Sequence, residues 1–340
     1  MRDVVVAGGG PVGLAAAVHA ARAGLDVVVR EPRVGTVDKA CGEGLMPCAV
    51  AALDTLGVHP AGHALAGIRY VDGACSATAD FATGAGLGVR RTTLHDALRK
   101  AADEAGVEVQ HRSVRDVRPH GDHVVVDGER TRYLLGADGL HSSVRRLAGL
   151  DAGPGRLRRY GLRVHAGTAP WSSHVEVHWA ADAEAYVTPV AGDLVGVAVL
   201  TGRSAPMFDL LARFPALLER LGHDLSRPLG AGPLRQRARG RVAGRVLLVG
   251  DAAGYVDALT GEGIAGGLAQ ARAAVDAVLR DEPASYEKAW RRITRQHDLL
   301  THGLLTATRS RAVRSHLVPA ADRLPRVFSA VVNRLASPAG

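Results

Sequence analysis

The run Val4-Val5-Val6-Ala7-Gly8-Gly9-Gly10-Pro11-Val12-Gly13 constrains this chain more than any other stretch. Four apolar residues read as a buried strand, Gly8, Gly10 and Gly13 form Gly-x-Gly-x-x-Gly, and Leu14 to Ala23 is alanine-rich and helical in character. A side chain at Gly8 would obstruct the tight turn. One at Gly10 would keep the backbone away from a pyrophosphate, and one at Gly13 would push the helix off the strand. The helix N-terminus then turns its free N–H groups and the positive end of the dipole toward the phosphates. A second apolar strand, Val27-Val28-Val29, ends at Glu31, eighteen residues after Gly13, where a carboxylate can accept both hydroxyls of an adenosine ribose. The unit is expected to hold FAD or NAD and to disfavour NADP.

At 340 residues the chain suits two intimately joined domains. Its net charge of +8 rests almost wholly on arginine, because Lys39, Lys100 and Lys288 are the only lysines. Those arginines are spread along the chain, aromatic residues make up 4%, and no recognition motif interleaves the two, so no nucleic-acid partner is expected. Cys41, Cys48 and Cys75 form no CxxC pair, which indicates neither a disulfide frame nor a metal site and fits a reducing compartment. With no membrane-spanning run and no signal peptide, the expectation is a cytoplasmic protein.

Past Glu31, the polar stretch Val34 to Pro47 contains Cys41-Gly42-Glu43-Gly44. Glycines on both sides of Glu43 would let backbone lie flat against a planar ring, and they equally suit an ordinary turn before a helix over Ala49–Leu56. Gly67–Val71 and Ser76–Phe81 read as strands of a second domain, and a helix is expected from Arg90 to about Glu104. Arg91 would lie in its first turn, where the dipole disfavours a cation, so an anionic partner such as a cofactor phosphate is expected there. Residues 107–109, 114–117 and 123–126 suggest a small antiparallel layer. Twice more a short apolar strand delivers glycine and aspartate. Tyr133-Leu134-Leu135 leads into Gly136-Ala137-Asp138-Gly139, and Val246 to Val249 leads into Gly250-Asp251-Ala252-Ala253, followed by Gly261-Glu262-Gly263-Ile264 and a helix to about Leu279. Such strand ends are where α/β sheets bind ligands.

These three elements, in this order and over nearly the whole length, resemble the FAD-dependent group A aromatic hydroxylases and the geranylgeranyl reductases that share the para-hydroxybenzoate hydroxylase-like fold. The resemblance implies that Gly8, Gly10, Pro11, Val12 and Gly13 hold the FAD pyrophosphate, with Glu31 on the ribose and Arg91 near the pyrophosphate or ribityl chain. It further implies that Asp138 and Gly139 serve FAD and the reduced pyridine nucleotide, and that Gly250 and Asp251 bind the ribityl or pyrophosphate region. Gly261, Glu262, Gly263 and Ile264 would approach the isoalloxazine. The sequence departs from the hydroxylases at Gly254, where they usually carry histidine. Its Cys41-Gly42-Glu43-Gly44 loop looks closer to the reductase branch, and no Trp-x-Trp-x-Ile halogenase signature is present.

The expected fold is α/β, in part α+β: a Rossmann-like FAD-binding domain (1–65 with 85–150 and 240–285), an antiparallel-sheet substrate domain (66–84 with 151–239) and C-terminal helices (286–340). Substrate-domain strands are expected near 158–166, 174–179, 184–190 and 193–201, with one helix from Pro206 to Leu221. His174, Glu176 and His178 share a strand face, which reads more simply as a polar face than as a metal site. Tyr186 can donate to a substrate oxygen or pack in the sheet. The tail reads as two amphipathic helices that pack on the main domain or touch a membrane peripherally.

The favoured function at this level is an FAD-dependent monooxygenase of a hydrophobic phenolic or polyketide-like molecule, using NADH or NADPH and O2 and belonging to secondary metabolism. The alternative is an oxygen-independent reductase of an isoprenoid or other alkene, with Cys41 beside the flavin. A flavin-binding but catalytically idle partner is the third reading. Cys41 and Tyr186 are the catalytic candidates.

Overall fold

A computed structural model describes residues 1–73, 75–154, 158–308 and 310–337. Its organising feature is a sheet of eight strands whose parallel heart runs, in spatial order, Val246–Leu248, Glu129–Gly136, Arg2–Ala7, Val27–Arg30 and Glu108–Gln110. Val4, Val5 and Val6 are buried on both faces, as a central parallel strand requires. Register then does the positioning. Ala7 pairs with Gly136 and Gly136 pairs with Leu248, so the glycine turn and the two glycine and aspartate motifs leave the sheet side by side at one carboxyl edge.

Ten helices are described: α1 (Pro11–Arg22), α2 (Pro47–Thr55), α3 (Arg91–Glu104), α4 (Ser143–Leu147), α5 (Met207–Leu211), α6 (Pro215–Leu221), α7 (Gly263–Leu279), α8 (Pro283–Ala307), α9 (Arg311–Arg323) and α10 (Pro325–Ala336). The alanine-rich face of α1 packs between the sheet, α3 and α7 in one continuous core. Small side chains let these helices approach closely, and Gly13 brings α1 against the turn that ends the first strand. A Cβ there would stand 1.9 Å from the Gly8 carbonyl oxygen.

The second sheet has seven strands in the order Leu229–Ala231, Tyr160–Ala166, Leu194–Thr201, Ala183–Ala191, His174–Trp179, Gly67–Asp72 and Cys75–Asp80. All its pairings are antiparallel except that of His174–Trp179 with Gly67–Asp72. One face packs on α5 and α6 and the other looks toward the first sheet. A three-stranded patch of Gly44–Leu45, Gly86–Gly88 and His63–Leu65 lies between them.

Several sequence expectations need correction. The strand Glu108–Gln110 extends the main sheet in parallel instead of joining an antiparallel layer, because the preceding helix α3 makes a right-sized crossover. Val117–Pro119 and Val124–Val126 do pair antiparallel, and Val124–Val126 also pairs antiparallel with the start of Glu129–Gly136. The single helix expected over 206–221 is two, since Pro215 lacks the N–H that a continuous helix needs and instead starts α6. The two tail helices are three, with Pro325 opening α10. No helix among the described residues is long and apolar enough to cross a membrane.

Candidate flavin and substrate cavity

A cavity of about 720 Å³ runs from the glycine turn at Gly10 between the two sheets to the C-terminal helices. Its first half is polar. Gly10, Pro11, Val12, Lys39, Arg91, Gly139, Gly250 and Asp251 line it, all from the carboxyl edge of the main sheet and the loops facing that edge.

The three fingerprint glycines have different jobs. Gly8, at φ +106°, would place a Cβ 2.5 Å from the Ala137 carbonyl oxygen, so Gly8 and Gly13 are demanded by the fold. Gly10 is not. The nearest atom to a Cβ there is Arg91 Nη2 at 3.7 Å, so only a bound group requires that space to stay open. Arg91 is buried and its Nη1 has no hydrogen-bond partner. A buried guanidinium facing an open glycine turn is the complement of a diphosphate. Lys39, which the sequence reading left unassigned, lines the same end, and burial lowers its pKa. Asp251 is pushed up by burial and held back by Lys39, Arg91 and Arg145. The Glu31 carboxylate accepts from the Gly9 amide at 2.9 Å and from Arg33 at 2.7 Å, which places it at the turn but outside the cavity wall. This end fits FAD: Gly10 and α1 with Arg91 and Lys39 would hold its diphosphate, and Asp251 its polyol.

The Cys41–Gly44 loop crosses the middle of the cavity and is anchored from the second sheet and from the segment that leads into α3. Thr188 Oγ1, on the second sheet, donates to the Gly42 carbonyl at 2.8 Å. The Glu43 amide lies 3.4 Å from Cys41 Sγ, and the Glu43 carbonyl accepts from Val89 at 2.8 Å. Glu43 itself adopts φ +60°, a left-handed conformation unusual outside glycine, and its side chain is fully buried. Its Oε1 accepts the Arg91 amide at 2.8 Å, so it caps α3, whose own N-cap Arg90 supplies no side-chain bond. Its Oε2 meets His165 Nε2 at 2.7 Å, and Arg163 Nη1 lies 3.1 Å from His165 Nδ1. An arginine only donates and a carboxylate only accepts, so Nδ1 is the acceptor and Nε2 the donor. Arg163 also reaches Asp38 at 2.5 Å. His165 and Arg163 were invisible as site residues in the sequence, because they sit at alternate places on a strand far from any motif. Burial pushes the Cys41 thiol up, so it keeps its proton.

Other predicted residues take different places. The Asp138 carboxylate accepts from the Ser142 hydroxyl and from the Ser143 and Val144 amides at 2.7 and 3.0 Å, so it satisfies the first two amides of α4 beside the N-cap Ser142, which accepts from the Arg145 amide; its neighbour Gly139 lines the cavity. Arg145 of the same motif is 1% exposed and donates to the carbonyls of Leu140 and Ala252, tying the second motif to the third. Gly261, Gly263 and Ile264 line the cavity at the start of α7. Glu262 turns away from it to pair with His297, in a second cavity of about 540 Å³ behind Tyr255. Tyr186 lines the main cavity, but its hydroxyl donates to the Leu259 carbonyl at 2.8 Å. Glu176 of the polar strand face is buried, accepting from Trp171 and His178.

The second half of the cavity is apolar, walled by Ile68, Val175, Val177, Leu259, Leu304 and Phe328. Among the described residues no histidine lines it, and its tyrosines Tyr70 and Tyr186 are pushed up by burial, Tyr70 to about 12. Beneath this end Glu184 joins Arg159 and Arg314, and Asp257 beside Arg159 is raised by burial to about 6.

Residues 1–199 match the family described as FAD binding domain. A menaquinone reductase of Mycolicibacterium smegmatis is 32% identical over 87% of this chain and 80% of its own length. A chloroplastic geranylgeranyl diphosphate reductase of Oryza sativa is 30% identical over 77% of this chain and 63% of its own. The solved p-nitrophenol 4-monooxygenase of Pseudomonas putida superposes with a TM-score of 0.81 at 20% identity, covering 99% of this chain and 98% of that one, which is a likeness of fold.

Proposed function

This chain belongs to the FAD-binding-domain family and is a flavin-dependent oxidoreductase, and from that premise we propose that it reduces a carbon–carbon double bond in an isoprenoid chain. The observation that carries the reading is the apolar half of the cavity, which lies beyond a cysteine-bearing loop and, among the described residues, is lined by no histidine or carboxylate to activate a phenol. Both sequence relatives of 30% identity or more named above are reductases, one of menaquinone and one of geranylgeranyl diphosphate.

Bound FAD, reduced by NADH or NADPH, supplies a hydride equivalent. The chain's own residues do the rest. Ile68, Val177 and Leu304 exclude water and align an extended hydrocarbon. Cys41 holds a proton at Sγ on the cavity wall, where it can serve the second carbon of the alkene and be restored from solvent. Glu43 and His165 fix the loop that carries it.

Hydroxylation of an electron-rich aromatic is the second reading, favoured by the monooxygenase fold likeness. The two separate under anaerobic turnover with dithionite as reductant and a short polyprenyl acceptor. Reduction adds two hydrogens to the product mass without oxygen. A product that forms only in air and carries label from 18O2 would replace the alkene reading with the monooxygenase one.

A further inference from the structure

From Lys288 to its end the chain holds ten basic side chains and two acidic ones, so this short stretch carries a formal charge equal to the +8 of the whole protein. The same stretch exposes its apolar residues. Leu299 of α8 is 73% exposed, and Leu324, Val327 and Val331 at and along α10 are 56%, 57% and 41% exposed. A docked surface helix ordinarily shows a polar outer face. Here α10 is already docked by its other face, where Phe328 and Val332 pack on Cys75–Asp80 and Asn333 Nδ2 donates to the Asp80 carbonyl at 2.9 Å. All four exposed residues also line the main cavity, so the apolar patch is continuous with its outer mouth. Exposed arginines flank it along the chain: Arg295 one turn before Leu299, Arg323 preceding Leu324 and Arg326 preceding Val327.

We infer that this face docks on an anionic lipid leaflet, seating Leu299, Leu324, Val327 and Val331 at the acyl boundary with Arg295, Arg323 and Arg326 among the phosphates. Apolar side chains flanked by arginines match a surface that is hydrocarbon beneath and negative above. The mouth of the cavity would then open onto the phase in which a long hydrocarbon dissolves. The inference rests on charge and exposure, and vesicle binding is read without substrate, so it stands or falls separately from the alkene reading.

The test is sedimentation of the full-length flavoprotein with vesicles of phosphatidylglycerol mixed with phosphatidylcholine, against phosphatidylcholine alone. Binding to the mixed vesicles and not to the neutral ones is expected, weakening as salt rises. Arg323→Gln/Arg326→Gln should lower affinity about 30-fold at low salt, and Leu324→Glu/Val327→Glu should abolish it with the flavin spectrum and melting temperature retained. The Arg323→Gln/Arg326→Gln protein should reduce a short soluble acceptor at the parent rate. Three results would overturn the inference: no binding to mixed vesicles at low salt, binding indifferent to the Leu324→Glu/Val327→Glu pair, or a dimer in light scattering that this pair converts to monomer.

Discussion

The two ends of the main cavity are built on opposite principles. At the sheet edge, Gly10, Lys39, Arg91 and Asp251 bring buried or half-buried polar groups around an open glycine turn, and Arg91 Nη1 waits there without a partner. At the helical end, Ile68, Val177, Leu304 and Phe328 present hydrocarbon with no directional group. The first end costs the folded protein desolvated charge that only an anionic ligand returns. The second is stable empty or filled. Recognition of the cofactor is therefore specific and brittle, whereas recognition of the substrate depends on volume and tolerates change.

The sharpest break in that comparison separates glycines that the fold needs from the glycine that the ligand needs. Gly13→Val should be the most damaging change, since the side chain meets the Gly8 carbonyl at 1.9 Å inside the packed core. We expect a loss of more than about 4 kcal/mol and little soluble protein. Gly10→Val has 3.7 Å of clearance to Arg91 Nη2. The apoprotein should melt within a few degrees of the parent, yet purify without flavin. Equal melting of the two variants, or normal flavin absorbance in Gly10→Val, would show that no phosphate approaches this turn.

The Cys41–Gly44 loop joins the two ends, and His165 is the lever on it. Glu43 is a fully buried carboxylate that accepts from the Arg91 amide and from His165, with Arg163 Nε 4.0 Å from its Oε1. His165→Leu removes one of these donors and strands part of the charge, at a cost of about 3 kcal/mol. His165→Gln, which can still donate through its amide, should recover much of it. The loop is read directly through Cys41 in a Cys48→Ser/Cys75→Ser background. Alkylation of the apoprotein by iodoacetamide should accelerate at least about tenfold in His165→Leu and stay near the parent in His165→Gln. Equal alkylation in all three proteins would mean that the loop is held without His165.

What the sequence showed and what it hid follow the same division. The glycine turns, Arg91 and the two later glycine and aspartate motifs were legible because backbone approach to a phosphate admits few residue types at fixed spacing. The parallel register that brings them together follows from three short apolar strands. Asp138 was legible as a motif residue but not as the partner of the first two amides of α4, because a carboxylate that serves a helix start and one that binds a ligand share the same local signature. His165, Arg163 and Lys39 were not legible, since their places depend on how the two sheets face each other. The break at Pro215 and the third tail helix were readable from proline and were overrun by the apolar stripe.

Tyr186 supplies the finest test, because it stands at the boundary between the two ends with a single polar atom. Its hydroxyl is buried, raised far above the usual phenol range by desolvation with Glu184 adding to it, and already spent on the Leu259 carbonyl at 2.8 Å. A proton so engaged holds the loop that leads to Gly261 and is poorly placed to serve a substrate. Tyr186→Phe should therefore cost about 1 kcal/mol in urea unfolding and leave kcat within a few-fold of the parent. Loss of that hydrogen bond leaves one carbonyl under-satisfied, and the wall stays aromatic. A fall in kcat of a hundredfold or more with unchanged stability would move Tyr186 from the wall of the cavity into its chemistry. It would also place a proton donor at the end that the geometry describes as hydrocarbon.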